Sequence, residues 1–330
     1  MGTMTAKHDA WERLDVPAVT PSARAQAPVA DPAPRLRLRR SRGPVLAALD
    51  GGGDVFQRRM RDVLIGATVI LVPAVALNVW VTIVGFDQLG ATDSDLPGFL
   101  GNDTGGGIED LAVWSAAVFA SFLAAVVGHF ASLILLGERF GNRASLGRAL
   151  GLTGRRLPAL FAAWILTHWW FPLMALIVVT AKPEHVGVWL FFFSLLCWVS
   201  AAATLLVVPA MVGEGLGPFA AAKRSWRLAR LRFGVCVLFV LLATLLAGLL
   251  GLGIGTLVPL LEATGFISLG GATPIVQGVM LQLVVLIVVP LIALATAQVY
   301  VEIRIAGEGL DLVIEADSAF GSRSTEQPAP

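Results

Sequence analysis

The sequence predicts an all-α integral membrane protein with six transmembrane helices. They are arranged as three units of an elbow helix plus a helical hairpin, with both termini in the cytoplasm. Of the 330 residues, 56% are hydrophobic and only 14% are charged, whereas soluble domains carry about 25% charged residues. Six charge-free runs divide the charged segments, and each exceeds the ~20 residues that a helix needs to cross a bilayer core. The predicted spans are 63–86, 111–137, 158–181, 187–212, 233–258 and 276–301.

Lysine and arginine lie almost entirely on one side of this predicted bundle. Of the 24 such residues, only Lys182 falls in a connection on the opposite side. The first connection on that side, residues 87–110, is acidic and has no basic residue. The positive-inside rule therefore places both termini in the cytoplasm. Because arginine far outnumbers lysine, as in many GC-rich bacterial genomes, we expect a multi-pass protein of a bacterial inner (plasma) membrane.

The two ends of the chain differ in composition from the predicted membrane domain at 44–312. Residues 1–43 combine Pro, Ala and Arg and lack the apolar stretch of a signal peptide. This composition favours a disordered basic cytoplasmic tail. Residues 313–330 are predicted to form a second disordered cytoplasmic tail.

A basic segment precedes each odd-numbered predicted span, which indicates a threefold internal repeat. The segments end in Arg58-Arg59-Met60-Arg61, Arg155-Arg156 and Arg230-Leu231-Arg232. Amphipathic helices of this kind lie in the membrane interface, with apolar faces toward lipid and arginines toward anionic headgroups. The first segment is the least regular, and the glycines at 51–53 are expected to bound it.

Helical spacing places apolar residues on one face of the second and third segments. The stripe in the second segment consists of Leu146, Ala149, Leu150, Thr153 and Leu157. The stripe in the third consists of Phe219, Ala222, Trp226, Ala229 and Phe233, flanked by Lys223 and Arg230. Ser145 is a candidate N-cap for the second segment. Both segments are therefore predicted to be elbow helices.

Two short motifs lie near the cytoplasmic ends of the fourth and sixth spans. One reads VPAMVGEG at 208–215 and continues to RSW at 224–226; the other reads YVEIR at 300–304 and GEGLDL at 307–312. Together they resemble the membrane domain found fused to some glycerophosphoryl diester phosphodiesterases, a domain akin to the YciC-like inner-membrane proteins. The chain departs from that family's pattern at Ala306, where another Arg is expected. The resemblance covers 44–315 and implies a six-span domain of unassigned role. It does not imply an enzyme, because the catalytic barrel of those proteins is a separate soluble domain.

Two histidines, His129 and His168, are the titratable residues of note within the predicted spans. An intramembrane histidine is a functional candidate by default, for example in a proton relay. His129, however, follows Ala117, Ser121 and Ala125 at intervals of four along a seam of small residues. Polar groups on such seams commonly bond to a neighbouring helix. We therefore expect structural hydrogen bonds for both histidines, with a catalytic or relay role as the alternative.

Charged residues cluster at the cytoplasmic ends of the fourth to sixth spans. Our hypothesis is that Glu214 or Glu302 pairs with Arg224 or Arg304. Such a pair would clamp the third elbow helix to the end of the sixth span. The alternative is that these residues are solvated boundary charges.

Prolines and small residues interrupt several predicted spans. The prolines are Pro73, Pro172, Pro209 and Pro290. They are interpreted as kinks that serve packing, although a broken helix can also expose backbone to a substrate. In the fifth span, Ala247, Gly251 and Gly255 form a small-residue ridge that favours helix packing within or between chains.

The sequence offers little for catalysis. Metal-dependent proteolysis needs a pattern such as H-E-x-x-H, and none of the four histidines is so paired. No acidic residue lies within a predicted span. We therefore predict no enzymatic activity and no catalytic, cofactor-binding or metal site. The basic N-terminal tail is expected to contact anionic lipid, not nucleic acid.

The leading hypothesis is a non-enzymatic membrane organiser or accessory subunit. It would bind anionic lipid headgroups or partner proteins, including copies of itself, at the cytoplasmic face. The candidate headgroup-binding or structural residues are Arg155, Arg156, Glu214, Arg224, Trp226, Arg230, Arg232, Glu302 and Arg304. The alternative is a permease for a small molecule or lipid that uses the Pro-kinked spans around His129 and His168.

Overall fold

The computed structural model of the protein describes residues 43–88, 108–170, 173 and 183–312. Within these residues the chain is helical and has no β-strand. Ten α-helices are bounded there: α1 (Pro44–Arg58), α2 (Met60–Gln88), α3 (Ile108–Arg139), α4 (Leu146–Arg155), α5 (Leu157–Thr167), α6 (Pro183–Thr204), α7 (Val207–Gly213), α8 (Pro218–Leu231), α9 (Phe233–Ala263) and α10 (Thr273–Glu308). The predicted all-α class is confirmed. The two predicted terminal tails lie outside the described residues, except for Gly43.

Five stretches of these helices are long and apolar enough to cross a membrane. They are Met60–Leu77, Val118–Arg139, Phe191–Gly213, Phe233–Ala263 and Val276–Glu308. They match the predicted first, second, fourth, fifth and sixth spans and indicate a multi-pass membrane protein. At the predicted third span, 158–181, the structure has the short apolar helix α5. Most of the remainder of that span lies outside the described residues.

The hydrophobic core lies where the elbow helices α1, α4 and α8 meet the ends of the spans. α1 packs along α10, while α8 packs against α5, α6 and α7. Fully buried side chains in this layer include Leu135 of α3, Leu228 of α8 and Ile303 of α10. In α9, by contrast, only 11% of the spanning stretch is buried, against 50% in α3. The tight core therefore forms at the arginine-rich end, and α9 presents most of its apolar surface outward.

The helix α1 runs through the glycines at 51–53 without interruption, so the expectation that these glycines bound the first elbow segment is wrong. The physical reason is packing against α10. A Cβ atom on Gly52 would lie 2.7 Å from the backbone nitrogen and 2.8 Å from the Cα atom of Ala295. Only glycine lets the two helix backbones approach this closely, and this contact offsets the poor helix propensity of glycine.

The predicted fourth span, 187–212, is not one continuous helix, because α6 ends at Thr204 and α7 begins at Val207. Pro209 explains the break, since it has no N–H to donate to the carbonyl of Leu205 four residues earlier. Ser225 of α8 bridges the break. Its Oγ donates to the Ala203 carbonyl at 2.9 Å and accepts from the Leu206 nitrogen at 3.2 Å. The sequence favoured a kink at Pro209 that serves packing. The bonds of Ser225 across the break agree with that interpretation.

A second proline, Pro259, lies inside α9 beyond the predicted end of the fifth span. Its missing N–H leaves the carbonyl of Gly255 without its usual helical partner. The side chain of Gln277 on α10 fills that role, with its Nε2 donating to the Gly255 carbonyl at 2.6 Å. In the small-residue ridge, a Cβ on Gly255 would contact Leu281 of α10, whereas Gly251 has nothing within 4 Å. Of the two glycines in the ridge, only Gly255 lies against another described helix.

The second elbow helix, α4, begins as predicted. The side chain of Ser145 caps it by accepting from the Arg148 nitrogen at 3.4 Å. Most of its stripe, however, faces the protein, since Ala149 and Thr153 are buried in the core and only Leu157 is exposed. The prediction that this apolar face meets lipid is therefore wrong for α4. The small side chains on that face let α4 lie directly against α3.

Candidate functional site

A cluster of five polar side chains joins α8 to the end of α10; we call it the α8–α10 cluster. Its members are Glu214, Arg224, Tyr300, Arg304 and Glu308. The Arg224 Nε donates to both carboxylate oxygens of Glu214, at 2.8 and 2.9 Å. The opposite edge of the Arg224 guanidinium meets Glu308, with Nη2 to Oε2 at 2.6 Å and Nη1 to Oε1 at 2.5 Å. The Glu214–Arg224 pair of the clamp hypothesis is therefore present.

Tyr300 and Arg304 complete the α8–α10 cluster. The Tyr300 hydroxyl donates to Glu214 Oε1 at 2.9 Å and accepts from Arg304 Nη1 at 3.2 Å. Arg304 Nε also donates to Glu308 Oε2 at 3.1 Å. Two guanidinium groups thus balance two carboxylates, and the cluster has no formal charge left for an ionic ligand.

The electrostatics of Arg224 follow from this arrangement. Burial lowers the pKa of its guanidinium, but the hydrogen bonds and charges of Glu308 and Glu214 outweigh burial and hold the pKa above its ordinary value. Arg224 is therefore permanently charged and bound on two sides. Bidentate pairs of this kind fix geometry as well as charge.

Glu302 does not join the clamp, so that branch of the hypothesis is wrong. Tyr300, Arg304 and Glu308 recur at intervals of four and share one face of α10, whereas Glu302 projects from another. Its carboxylate accepts from Gln298 Nε2 at 3.0 Å, and Gln298 in turn accepts from Arg139 Nε at 2.9 Å. Among the described residues, Glu302 forms no salt bridge within 4 Å.

A second ion-pair network, which the sequence did not predict, ties the α1–α2 junction to the end of α3 and to the α3–α4 connection. Arg59 donates to Asp62 at 2.8 Å, to Glu138 at 3.0 Å and to the Ala144 carbonyl at 3.1 Å. Arg143 also meets Glu138, at 3.2 Å. The spacing of Arg59 and Asp62 was the available signal, because residues three apart on a helix are neighbours. The long-range partner Glu138 had no such local signal.

Both histidines form hydrogen bonds, as expected. His129 is only 4% exposed, and its Nδ1 lies 3.1 Å from Thr153 Oγ1, which links α3 to the elbow helix α4. His168 Nδ1 lies 2.8 Å from Thr167 Oγ1 and 3.1 Å from the Trp164 carbonyl. The structure does not join the two histidines through any hydrogen bond between described residues. The bond of His129 fits helix packing, whereas the described bonds of His168 are local to the end of α5.

Apart from Glu302, which bonds to Gln298, the predicted candidate residues divide into two groups. Glu214, Arg224 and Arg304 are largely covered within the α8–α10 cluster. The others that face outward are Arg155, Arg156, Trp226, Arg230 and Arg232. The sequence could not separate these groups, because both contain arginines in the same basic segments.

The described residues hold no group of three or more His, Cys, Asp and Glu side chains that could bind a metal ion. Comparison with known proteins gave no matching family model, no matching curated protein and no matching solved structure.

Proposed function

We propose that this chain is a non-enzymatic, six-span protein of a bacterial inner membrane whose arginine-rich end is a rigid cytoplasmic platform for anionic lipid headgroups. By platform we mean the elbow helices α1, α4 and α8 with the span ends that they contact. The proposed role is that of a membrane organiser or accessory subunit. The resemblance stated above is compatible with this role, since it implies a six-span domain of unassigned role and does not imply an enzyme.

One observation carries the proposal: inner basic residues of the platform are paired with carboxylates, whereas most of the outer ones are not. Arg59, Arg224 and Arg304 are paired with carboxylates. The basic residues of the platform that are exposed and form no salt bridge with a described carboxylate are Arg61, Arg148, Arg155, Arg156, Lys223, Arg227, Arg230 and Arg232. Each basic residue near an anionic membrane surface contributes about 1 kcal/mol of attraction. A rigid platform with unneutralised cations on its outer side is suited to that partner.

The packing of the platform also supports six spans. α5 begins in the platform and α7 ends there, because both contact α8. A chain that leaves and returns to the same end crosses the membrane an even number of times. The stretch Phe191–Gly213 supplies one crossing, so residues 157–182 are proposed to supply the other. A homo-oligomer or a membrane-protein partner stays a prediction.

The proposed orientation is tested by cysteine labelling. In a background with Cys197→Ser and Cys236→Ser, we expect Asn142→Cys, in the exposed α3–α4 connection, to react with a membrane-impermeant maleimide only in inverted vesicles. Phe266→Cys is the matched control at the opposite end, where Phe266 is 81% exposed in the α9–α10 connection. It should react only in right-side-out vesicles. Labelling of Asn142→Cys from the outside would contradict the orientation.

The lipid preference is tested by thermal unfolding of the delipidated, detergent-solubilised protein. Phosphatidylglycerol is expected to raise Tm by about 5 °C more than phosphatidylcholine at equal concentration, because a ligand that binds the folded state stabilises it by mass action. The difference should shrink in high salt, which screens exposed charges. Equal shifts with both lipids would remove anionic-lipid binding from the proposed function.

A permease has less support from the described contacts. Its candidate residue His129 is covered and bonded to Thr153, and His168 stacks on Trp164 with ring centroids 5.2 Å apart. His129 thus links α3 to α4, and the described contacts of His168 with Thr167 and Trp164 lie at the end of its own helix, α5.

A further inference from the structure

The three elbow helices are not equivalent, and the difference identifies where lipid binds. Resting on the proposed function, we infer that α8 is the helix that docks on anionic phospholipid. Its docking surface is formed by Phe219, Lys223, Trp226, Arg227 and Arg230, which we call the α8 outer face. α1 and α4 serve to hold the platform together.

The inner side of α8 is fixed to the protein. Ala221, Ser225 and Leu228 are fully buried, and Arg224 on the flank belongs to the α8–α10 cluster. With 3.6 residues per turn, the outer-face residues project from the other side of the helix. Phe219 is 73% exposed and Trp226 is 48% exposed. These two rings therefore lie outside the core, although they belong to the predicted apolar stripe of the third elbow helix.

Charge and ring chemistry together select an anionic phospholipid as the partner. Lys223, Arg227 and Arg230 are exposed and form no salt bridge with a described carboxylate, and the helix has no acidic residue. Aromatic rings are enriched at the level of the headgroups, and long basic side chains reach from there to the phosphates. An interfacial helix with aromatic rings and basic side chains on one exposed side matches an anionic bilayer surface. The rings lie at the level of the headgroups, and the cations meet the phosphates.

The helix α4 lacks this combination. Its apolar side is used by the core, through Ala149 and the bond between Thr153 and His129. Its outer side carries the exposed residues Gly147, Arg148, Gly151, Gly154 and Arg155. It therefore has cations but no exposed large apolar side chain between Leu146 and Arg155.

The helix α1 lacks the combination for another reason. Leu46 is 66% exposed, but the outer side also carries Asp50 and Asp54. Asp54 accepts from Arg58 at 2.7 Å and neutralises it. Anionic headgroups are thus not favoured along α1.

The experiment compares two matched triple variants of the full-length protein. One carries Lys223→Gln, Arg227→Gln and Arg230→Gln in α8; the other carries Arg148→Gln, Arg155→Gln and Arg156→Gln around α4. Native mass spectrometry measures the ratio of bound phosphatidylglycerol to phosphatidylcholine from an equimolar mixture. The α8 triple variant should lower this ratio about tenfold or more. The α4 triple variant should lower it several-fold less, because α4 has no exposed ring to hold its cations at the level of the headgroups. Trp226→Ala should weaken retention of both lipids and leave the ratio unchanged.

The outcomes separate this inference from the proposed function. If the wild-type protein shows no preference for phosphatidylglycerol, the proposed function fails. If the preference exists but the α4 variant loses it, or both variants lose it equally, lipid binding stands and the assignment to α8 is overturned. Should the α8 triple variant unfold, Arg230→Gln alone is expected to lower the ratio about threefold or more, and an unchanged ratio would overturn the assignment.

Discussion

Replacing Gly52 by alanine is expected to lower the free energy of unfolding of the solubilised protein by about 2–3 kcal/mol. The added Cβ would lie 2.7 Å from the Ala295 nitrogen of α10. That neighbour is helix backbone, which cannot move aside as the end of a flexible side chain can. The two helices must therefore separate, and the core between α1 and α10 loses contacts along its length. Unfolding in mixed detergent micelles measures the change.

Gly53→Ala is the matched control for this experiment. Gly53 lies next to Gly52 in the same helix, and a Cβ there would have nothing within 4 Å. Alanine favours a helix over glycine by up to about 1 kcal/mol. The control should therefore raise stability slightly, so that the two variants move in opposite directions. If Gly52→Ala were as stable as Gly53→Ala, the close approach of α1 to α10 would be refuted.

Replacing Ser225 by alanine is expected to lower the free energy of unfolding by about 2–4 kcal/mol, because two buried backbone groups lose their partner. These groups are the Ala203 carbonyl and the Leu206 N–H at the α6–α7 break. Each buried polar group left unpaired costs about 1–3 kcal/mol. Ser225 is itself fully buried, so water does not readily replace the hydroxyl. Hydrogen exchange should report faster opening at residues 203–210 in the variant.

Ser194→Ala is the control for the loss of a serine hydroxyl in the same segment. The Ser194 hydroxyl donates to the Phe191 carbonyl within α6, and the residue is exposed. Its removal leaves no buried group unpaired, so stability should change by less than about 0.5 kcal/mol. An equal loss in both variants would show that Ser225 has no special part in bridging the break.

Several features of the molecule could be predicted from local sequence alone. The charge-free runs predicted five of the stretches that can span a membrane, since length and hydrophobicity belong to each run by itself. The cap at Ser145 was predictable for the same reason, because a cap is made within one turn. The pairing of Glu214 with Arg224 was predictable, since only a short connection and about two helix turns separate them.

Partners that are distant in the sequence could not be predicted in the same way. Glu138 meets Arg59 across 79 residues, and Glu308 meets Arg224 across 84 residues. Tyr300 belongs to the YVEIR motif, but the motif does not reveal that its hydroxyl lies between Glu214 and Arg304. Each of these contacts depends on which helix ends meet in the platform.

The sequence by itself determined that this chain is helical, that it is built to lie in a membrane, and that its cations are concentrated in three segments. These properties follow from hydrophobicity and charge, which need no knowledge of neighbours. Only the tertiary structure decided that the glycines at 51–53 continue a helix and that Ser225 completes a broken one. It also decided that the rings of α8 face outward while the stripe of α4 faces inward. An amphipathic pattern gives the direction of a helix face relative to its own axis, but the packing of the other helices decides what that face meets.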